Sequence, residues 1–337
     1  MQQEIRFATF NGFNLAPPGV KLYDNLEPLT ADEYEAKLDW TAQQLDQLDA
    51  DVIGFQEVFS QAVLRAVLAR SRFYRDAWHA GFDHGPGADR LVPNVALVSR
   101  LPLAGPAVSY TAFPDGVALP PGSDDANRFA RAPLHAQVLL PNRHVLDVLV
   151  VHLKSKRPDY HRGDNDSDPL LYAMANLRSL IRRGTEAVAL RMLLTGLGRA
   201  GAGPQGQAPG PAQGPRPRIV LGDFNDVADA VTTTIVLGGG PATLPDEAPT
   251  DRFFDSNQIQ LGGDGAPQPG YTNIYNGHHV TIDHILVSEE FNPASGLAIG
   301  EVLDVTYLNQ HLLQPWPGAS DHGQVLARVR LYDGALQ

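Results

Sequence analysis

Short apolar runs bounded by polar residues recur along the chain and predict β-strands, because strands of this length bury alternating or continuous apolar positions. Most runs are rich in β-branched residues and end in Asn, Asp, Glu or His rather than in a simple turn. The predicted strands cover residues 5–10, 51–58, 94–99, 134–140, 145–153, 219–221, 280–287 and 324–331.

Helical spacing appears between these runs. Thr30 and Glu33 form a capping box, and the apolar positions that follow predict an amphipathic helix to about Leu48. A second helix is predicted after Ser60 as its N-cap. The Asp168-Pro169 pair predicts a third helix to about Ile181, and a helical stretch over 185–194 continues or succeeds it.

Residues 196–217 consist almost wholly of Gly, Ala, Pro, Gln and Arg, a composition that cannot bury a core. We interpret this segment as a flexible surface insertion, not as a linker between domains. Residues 114–127 predict another exposed loop. The sequence therefore predicts one domain over residues 1–337, interrupted by an insertion at about 196–217.

The amino-acid composition excludes several kinds of site. The 337 residues contain no cysteine, which excludes disulfides, thiolate metal sites and a cysteine nucleophile. The net charge of −12 repels nucleic acid and anionic membranes, although metal-binding carboxylates would be neutralised. No signal peptide or long apolar run is visible, which predicts a cytoplasmic protein or a mature secreted form that has lost its leader.

Polar residues at the predicted strand ends form a candidate site. Asp223 and Asn225 follow a buried strand and would share one face of extended backbone. The collected set is rich in oxygen ligands, which suits Mg²⁺ or Mn²⁺ better than Zn²⁺. The set comprises Asn11, Glu57, His152, Asp223, Asn225, Asp283, Asp321 and His322. His152 and Lys154 also share a face at their strand end, an arrangement that suits an anionic substrate.

The chain has no Gly-rich phosphate loop followed by Lys-Ser/Thr, so we expect no nucleotide cofactor. A Gly-x-Ser-x-Gly elbow is absent as well, which argues against an acyl hydrolase. Six short motifs carry a family resemblance: Thr9-Phe10-Asn11, Gly54-Phe55-Gln56-Glu57, Val151-His152-Leu153, Gly222-Asp223-Phe224-Asn225, Ile282-Asp283-His284-Ile285 and Ser320-Asp321-His322. In this order the chain resembles the endonuclease/exonuclease/phosphatase superfamily over about residues 5–331.

The resemblance implies a four-layer α/β sandwich, with two mostly antiparallel sheets packed face to face and helices outside. It implies a metal-dependent phosphodiester hydrolase that uses one or two Mg²⁺ or Mn²⁺ ions. Glu57 would hold the catalytic metal, with Asn11 and Asp321 near it. Asp223 would orient or deprotonate water or hold a second metal.

The remaining roles also follow from the resemblance. His322 would contact the phosphate or act as the base, oriented by Asp283. Whether Asp223 or His322 takes the proton stays open. His152 would steady the charge of the transition state. Asn225 would bind a phosphate oxygen, together with the candidate substrate contacts Asn11, Lys154 and Arg131. Loss of Asp223 or His322 is expected to abolish most activity without unfolding the protein.

A nuclease acting on DNA or RNA is the first interpretation of the substrate. Lys154, Lys156 and Arg157 follow a strand end, and the helix that carries Arg178, Arg182 and Arg183 could follow a nucleic-acid backbone. Asn273 stands where abasic-site endonucleases usually have Trp, so a less specific nuclease or phosphodiesterase is preferred.

The alternative is a sphingomyelinase or another hydrolase of phospholipids or small phosphoesters. Such enzymes typically expose an aromatic hairpin to the membrane, and residues 311–318 are the closest candidate. Leu312, Leu313 and Trp316 are nevertheless expected to pack in the core. A catalytically dead binding protein is the least favoured interpretation, because the ligand set is intact. A monomer is expected.

Overall fold

Two six-stranded sheets form the centre of the fold in the computed structural model, which describes residues 3–83, 90–120, 127–161, 163–200, 216–238, 251–261, 270–314 and 316–332. The first sheet has the spatial order β13 (Gly300–Leu308), β14 (Gln324–Leu331), β1 (Gln3–Leu15), β2 (Val52–Val58), β4 (Asn94–Ser99) and β3 (Trp78–Gly81). The second has the order β5 (Val108–Ser109), β6 (Leu134–Leu139), β7 (Val145–His152), β8 (Arg218–Asp223), β12 (Asp283–Ser288) and β9 (Phe253–Asp255).

Each sheet is antiparallel except for one parallel pair at its centre. In the first sheet β1 runs parallel to β2, and in the second β7 runs parallel to β8. Helix α1 (Ala31–Leu48) connects β1 to β2, and helix α3 (Pro169–Ala200) connects β7 to β8. Because parallel neighbours end at the same edge, the carboxyl ends of all four central strands can contribute to one site.

The sheets pack face to face around an apolar layer contributed by both, including Phe7, Val52, Val148, Leu221 and Ile285. Helices cover the two outer faces. Helices α1 and α2 (Gln61–Arg70) bury Leu38, Leu45 and Leu64 against the first sheet, and α3 and α4 (Val231–Leu237) bury Leu190 and Val236 against the second. The predicted four-layer sandwich is confirmed.

The predicted starts of α1 and α2 differ in their capping. At α1 the Thr30 side chain accepts from the Glu33 backbone N–H at 3.3 Å, and the Glu33 carboxylate accepts from the Thr30 N–H at 2.8 Å, as the capping box predicts. Ser60 is the N-cap of α2 but makes no capping hydrogen bond through its side chain. Asp83, 22 residues further along the chain, accepts from the Gln61 N–H instead, so this cap was not visible locally.

Helix α3 is longer than predicted, since its two predicted segments form one helix that continues through residues 196–200. The start of the predicted insertion at 196 is therefore wrong. The apolar face of α3 carries Leu194 against the second sheet, and Gly198 lies against the Arg218 guanidinium, so packing overrides the helix-breaking composition. Residues 201–215 of the insertion, and 121–126 of the other predicted loop, lie outside the described residues.

Several strand boundaries also differ from prediction. The predicted strand 280–287 is shorter in the structure: Val280 ends a small hairpin of β10 (Asn273–Tyr275) with β11 (His278–Val280), and β12 begins separately at Asp283. A short helix α5 (Ser256–Ile259) and the strands β3, β5, β9 and β13 were not predicted; all of these strands lie at or next to a sheet edge. The organisation of the whole chain as one domain stays a prediction.

Candidate active site

The candidate residues converge where the central strands of both sheets end. Asn11 and Glu57 lie near the ends of β1 and β2, and His152 and Asp223 are the last residues of β7 and β8. Asp283 is directly opposite Asp223 in the ladder between β8 and β12. Because β12 is antiparallel to β8, Asp283 begins its strand at this edge, whereas the sequence had placed it within a strand.

Asp223 is the centre of the hydrogen-bond network and is only 1% exposed. Its Oδ2 accepts from Asn11 Nδ2 at 3.1 Å, and its Oδ1 accepts from the Asn225 backbone N–H at 2.8 Å. His152 Nε2 lies 3.4 Å, and His322 Nε2 3.9 Å, from the same Oδ2. One carboxylate therefore connects residues from both sheets.

Burial raises the pKa of Asp223, and the negative charge of Asp283 raises it further, while His322 opposes both. The carboxylate can thus accept a proton more readily than an exposed aspartate can. This is the behaviour expected of a general base that works near neutral pH.

His322 faces a carboxylate on each ring nitrogen. Its Nδ1 lies 2.8 Å from Asp283 Oδ2, the His–carboxylate pair that the sequence predicted. Burial opposes protonation of His322, but the charges of Asp283 and Asp223 outweigh it and raise its pKa well above the usual value. The surroundings therefore favour the imidazolium.

Ser320, four residues before the final strand, connects this histidine to the first sheet. The Ser320 hydroxyl donates to the Asn11 carbonyl at 2.7 Å and accepts from the His322 N–H at 3.0 Å. The Thr272 hydroxyl accepts from the backbone N–H of Asp283 at 3.2 Å. These buried hydroxyls hold the loop and the strand start in register, and the prediction assigned no role to either.

Glu57 adopts a left-handed backbone conformation, with φ of 58°. Phe13 and Asn14 do the same on the neighbouring strand, where the register of β1 against β2 shifts between Asn11 and Leu15. The bulge aims the Asn14 N–H at Glu57 Oε2, 3.0 Å away. Three non-glycine residues in this strained region mark the edge as a specialised part of the sheet.

The surroundings of Glu57 fit a divalent cation. Burial raises the pKa of Glu57, and the nearby Asp321 carboxylate adds to this effect although His322 opposes it. Within the described residues neither carboxylate has a Lys or Arg within ion-pair distance. Clustered, unpaired oxygen donors of this kind suit a hard cation. Asp321 itself is exposed, so it would complete such a site from the solvent side.

A second group could also hold an ion. Ligand atoms of Asp223, Asp283 and His322 all lie within 4.8 Å of one another, and Asp283 Oδ1 is buried without a hydrogen-bond partner. This set shares only Asp223 with the predicted metal ligands Asn11, Glu57, Asp223 and Asp321. Because Asp283 and His322 already bind each other, we interpret them as a His–carboxylate pair.

His152 is buried, and its Nδ1 has no hydrogen-bond partner among the described residues. Burial lowers its pKa well below the usual value, and the positive charges of Arg131 and His322 act in the same direction. His152 is therefore a neutral imidazole whose Nε2 faces Asp223. A neutral donor at this position can polarise or orient a group without competing with the carboxylate for the proton.

Arg131 lies beside the site, since its charge acts on both His152 and Glu57. Its Nη1 donates to the Leu153 carbonyl at 3.2 Å, and it has no carboxylate partner within the described residues. Asn225 is not on extended backbone: β8 ends at Asp223, Asn225 has φ of 51°, and its Nδ2 donates to the same carbonyl at 3.0 Å. The shared-face argument for Asp223 and Asn225 is therefore wrong.

Lys154 does not share a face with His152, because β7 ends at residue 152. The Lys154 ammonium instead binds the carbonyls of Ser155 and Arg157, at 3.2 and 3.1 Å. Burial lowers its pKa. Lys154 thus stabilises the following loop, and its ammonium is not directed at Asp223.

The basic helix predicted to follow nucleic acid is engaged internally. Arg182 and Arg183 are buried and pair with Glu186 and Asp226, and Arg178 pairs with Asp164. Lys156 of the neighbouring loop also binds Asp226, at 2.7 Å. These four cations are held in ion pairs with three carboxylates, which does not favour this helix as a nucleic-acid contact, and binding of nucleic acid stays a prediction.

An apolar pocket opens next to Glu57 between the β1 bulge, α1 and the segment before Ser320. Its walls include Phe13, Val20, Leu22, Leu26, Leu29 and Pro317. Lys37 forms part of the wall; burial lowers its pKa to about 8, although Glu57 and Asp321 act oppositely. Gly318 has φ of +77°, and a Cβ there would lie 2.5 Å from Lys37 Cα, so glycine allows the loop to lie against α1.

Trp316 and Leu313 project from the segment that forms this wall and are 61% and 62% exposed. The expectation that they pack in the core is therefore wrong for both. Leu313 directly follows the short turn Gln310–Leu312, which no periodicity in the sequence indicated. Within the described residues no helix combines the length and apolar content needed to cross a membrane.

The family model "Endonuclease/Exonuclease/phosphatase family" matches residues 23–322. The chain belongs to this family, whose enzymes hydrolyse phosphoric esters and generally use divalent metal ions, and the protein is accordingly a phosphoric ester hydrolase. No curated protein matches the sequence.

Solved structures show the same fold at low sequence identity. An endonuclease/exonuclease/phosphatase from Bacteroides vulgatus is 16% identical, with a TM-score of 0.57 and coverage of 98% of this chain and 100% of that chain. A mannosyl-6-phosphatase from Bacteroides thetaiotaomicron is 15% identical, with a TM-score of 0.55 and coverage of 96% and 99%. ANGEL2, described as a 2′,3′-cyclic phosphatase, is 14% identical, with a TM-score of 0.58 and coverage of 98% and 96%.

Proposed function

We propose that the protein is a Mg²⁺- or Mn²⁺-dependent phosphodiesterase in which Asp223 directs water onto phosphorus. The observation that carries this proposal is the buried Asp223 carboxylate, held by Asn11 and Asn225 and facing both His152 and His322. Asp223 can accept a proton, His322 is a cationic hydrogen-bond donor and His152 is a neutral one. These three groups meet at one point of the sheet edge, which is the arrangement that hydrolysis of a phosphoric ester requires.

The base is assigned from the hydrogen-bond geometry. His322 has carboxylates 2.8 and 3.9 Å from its two ring nitrogens, so it is held as an imidazolium that donates and cannot accept. Asp223 therefore takes the proton of the attacking water, and His322 donates to a phosphoryl oxygen. His152 and Arg131 would stabilise the negative charge that develops on the other oxygens.

Glu57 and Asp321, with Asn11 nearby, would hold the metal ion. The all-oxygen donor set favours Mg²⁺ or Mn²⁺ over a softer metal. When bound, the ion would polarise the phosphoryl group and stabilise the leaving oxygen. Asn14 holds the Glu57 carboxylate through its N–H, and so fixes the direction of this ligand.

For the substrate, we propose a phospholipid or a small phosphodiester with an apolar group, ahead of nucleic acid. The pocket beside Glu57 is lined mainly by apolar side chains, and Trp316 and Leu313 are exposed next to its wall. Two structural neighbours are described as a mannosyl-6-phosphatase and a 2′,3′-cyclic phosphatase, so this fold also serves phosphatases. Four of the basic residues expected to bind nucleic acid, Lys156, Arg178, Arg182 and Arg183, pair with carboxylates instead.

Nucleic acid is the second candidate because of Arg131. This guanidinium lies beside the site without a carboxylate partner in the described part of the chain, and an unpaired arginine is a suitable contact for a backbone phosphate. A single such contact would give weak binding with a shallow dependence on salt.

The test compares hydrolysis of sphingomyelin in mixed micelles, bis(p-nitrophenyl) phosphate, plasmid DNA and single-stranded DNA. Each substrate is assayed with Mg²⁺, Mn²⁺ or EDTA, beside the Asp223→Asn variant as the contamination control. Leu26→Glu, which charges the pocket wall, is expected to raise KM for the lipid and to leave plasmid nicking unchanged. Metal-dependent nicking with inert sphingomyelin and bis(p-nitrophenyl) phosphate would instead establish the nuclease.

A further inference from the structure

Helix α3 carries an uncovered apolar face along most of its 32 residues. We name this face the α3 stripe; its members are Leu170, Met174, Leu177, Ile181, Gly184 and Val188. The five apolar members are between 37% and 77% exposed, and a Cβ on Gly184 would meet no atom within 4 Å. Within the described residues nothing packs against this face.

The other side of the same helix packs against the rest of the protein. Ala187, Leu190 and Leu194 are fully buried on the second sheet. Further towards the helix start, Ala175 and Ser179 contact the backbone of the loop at Asp159 and Ser155. The stripe is therefore an additional surface, not the core-facing side of an ordinary amphipathic helix.

The spacing of the stripe residues indicates which kind of surface packs against them. Its members are separated by steps of four, three, four, three and four residues. These five steps span 18 residues, an average of 3.6, so the members stay in one line along the helix and present one seam to a second helix. An ordinary core-facing stripe is broader. Gly184 replaces one apolar side chain in the seam and would permit close approach of a second helix backbone.

We propose that the α3 stripe is the interface at which two copies of this chain pair, helix against helix, as a two-fold symmetric dimer. A two-fold interface needs one self-complementary patch, which a single continuous stripe provides. With the flanking Leu180 and Met192, seven large apolar side chains are exposed along this side of the helix, a continuous patch for a second copy to cover. The dimer replaces the monomer expected from the sequence.

A lipid surface fits the stripe less well. Helices that lie on membranes carry Lys and Arg on their polar face, but Arg178, Arg182 and Arg183 beside the stripe are paired with carboxylates. The net charge of −12 also opposes binding to anionic lipid. A second helix with the same apolar seam carries no such penalty.

The chain itself also offers little to cover the stripe. In sequence, the segments outside the described residues contain only three large apolar side chains, Met1, Leu244 and Leu336, among mostly Gly, Pro, Ala and polar residues. Their sequences therefore offer few apolar side chains to match the five that the stripe presents along five helical turns. A second copy brings a matching surface of equal length.

The test is the molecular mass in solution, measured by sedimentation equilibrium between 1 and 100 µM. We expect the wild-type chain to approach twice 36.4 kDa. Leu170→Glu combined with Leu177→Glu is expected to weaken pairing at least 100-fold, because it places four charges in the interface. The matched control is Tyr172→Glu, since Tyr172 is 52% exposed on the same helix but lies outside the stripe; it should remain dimeric.

A cross-linking experiment checks the contact directly. Because the chain has no cysteine, any disulfide-linked dimer of Leu177→Cys or Ile181→Cys must form through the stripe, and Tyr172→Cys should not cross-link. A wild-type chain that stays at 36.4 kDa at 100 µM would overturn the proposal, as would equal dissociation of the control. Monomers that bind phosphatidylcholine–phosphatidylserine vesicles, and lose binding in the double variant, would reassign the stripe to lipid.

Discussion

A carboxylate enclosed among polar groups dominates the site at the scale of single residues. Asp223 accepts from two amides and is almost fully buried, yet no Lys or Arg of the described chain pairs with it. Burial raises the pKa of Asp223, and the charge of His322 only partly opposes this effect. The side chain is thus arranged for proton transfer at some cost to folding stability.

Asp223→Asn keeps the shape of the side chain but removes the proton acceptor. We expect kcat to fall by about 10²–10⁴-fold, the usual contribution of general base catalysis, while the thermal transition is retained. Loss of the negative charge should also lower the pKa of His322, which NMR titration of its imidazole would detect.

The matched control for this variant is Asp147→Asn. Asp147 is a fully buried carboxylate of β7, bound by His135 and Arg216 at the opposite end of the strand from the site. This change should lower stability and leave kcat per folded molecule near the wild-type value. Equal kcat losses in the two variants would contradict the assignment of Asp223.

His79 predicts an acid-sensitive contribution to stability. Burial lowers its pKa from 6.5 to about 4, and Arg65 adds to this effect. The unfolded chain therefore binds more protons between pH 4 and 6.5, so stability should fall as the pH decreases through this window, by at most about 3 kcal/mol. Urea unfolding of wild type and His79→Gln should show a pH-dependent difference in this window and none above pH 7.

Residue types and order were enough to predict most of the site, but side-chain directions were not. Asp283 and His322 could be paired from motif order alone. The engagement of Lys154 with loop carbonyls and of Arg183 with Asp226 depends on contacts between distant segments. Lys37 was overlooked although it stands among the apolar positions of α1, where a lysine is unusual and could have been noticed.

At the scale of elements, the position at which each strand ends determines which side chains reach the site. β8 places Asp223 at the sheet edge only because Gly222 lets it approach β7 closely. A Cβ on Gly222 would lie 2.3 Å from the carbonyl oxygen of Val151, which belongs to the backbone and cannot move aside cheaply. The glycine of the Gly-Asp-Phe-Asn motif is therefore required by packing between two strands.

Gly222→Ala should separate the ends of β7 and β8, and with them His152 and Asp223. We expect a loss of stability of about 1–3 kcal/mol from overpacking and a decrease in kcat. The control is Gly196→Ala on α3, where a Cβ meets no atom within 4 Å. It should stabilise the helix by about 0.5–1 kcal/mol without changing kcat. Calorimetry of both variants distinguishes the two effects.

Long apolar strands and capped helices were predictable because their signals are local. The boundaries of α3 and the short strands were not, since β5 and β9 contain two and three residues and depend on pairing with strands far away in sequence. The uncovered side of α3 could not be distinguished from a core-facing side by periodicity alone.

At the scale of the whole molecule, the negative charge of the carboxylates at the sheet edge couples metal binding to stability. The carboxylates at the sheet edge repel one another without a cation, so binding a divalent ion should stabilise the fold. At a free ion concentration 100 times Kd, linkage predicts about 2.7 kcal/mol. For a chain of this size the transition should rise by about 4 °C. Differential scanning calorimetry with Mg²⁺ or Mn²⁺ against EDTA would measure it, and Glu57→Gln should remove most of the rise.

The pairing of the first strand with the last one has a consequence for synthesis. β1 pairs with β14 through contacts such as Thr9 with Val325, 316 positions apart. At ribosomal rates of about 5–20 residues per second, β1 waits roughly 15–60 s for this partner. During that interval one edge of β1 is unpaired, and Asp321 and His322 have not been made. A nascent chain therefore gains catalytic competence only after β14 has been synthesised, and until then that edge of β1 is open to pairing with another chain.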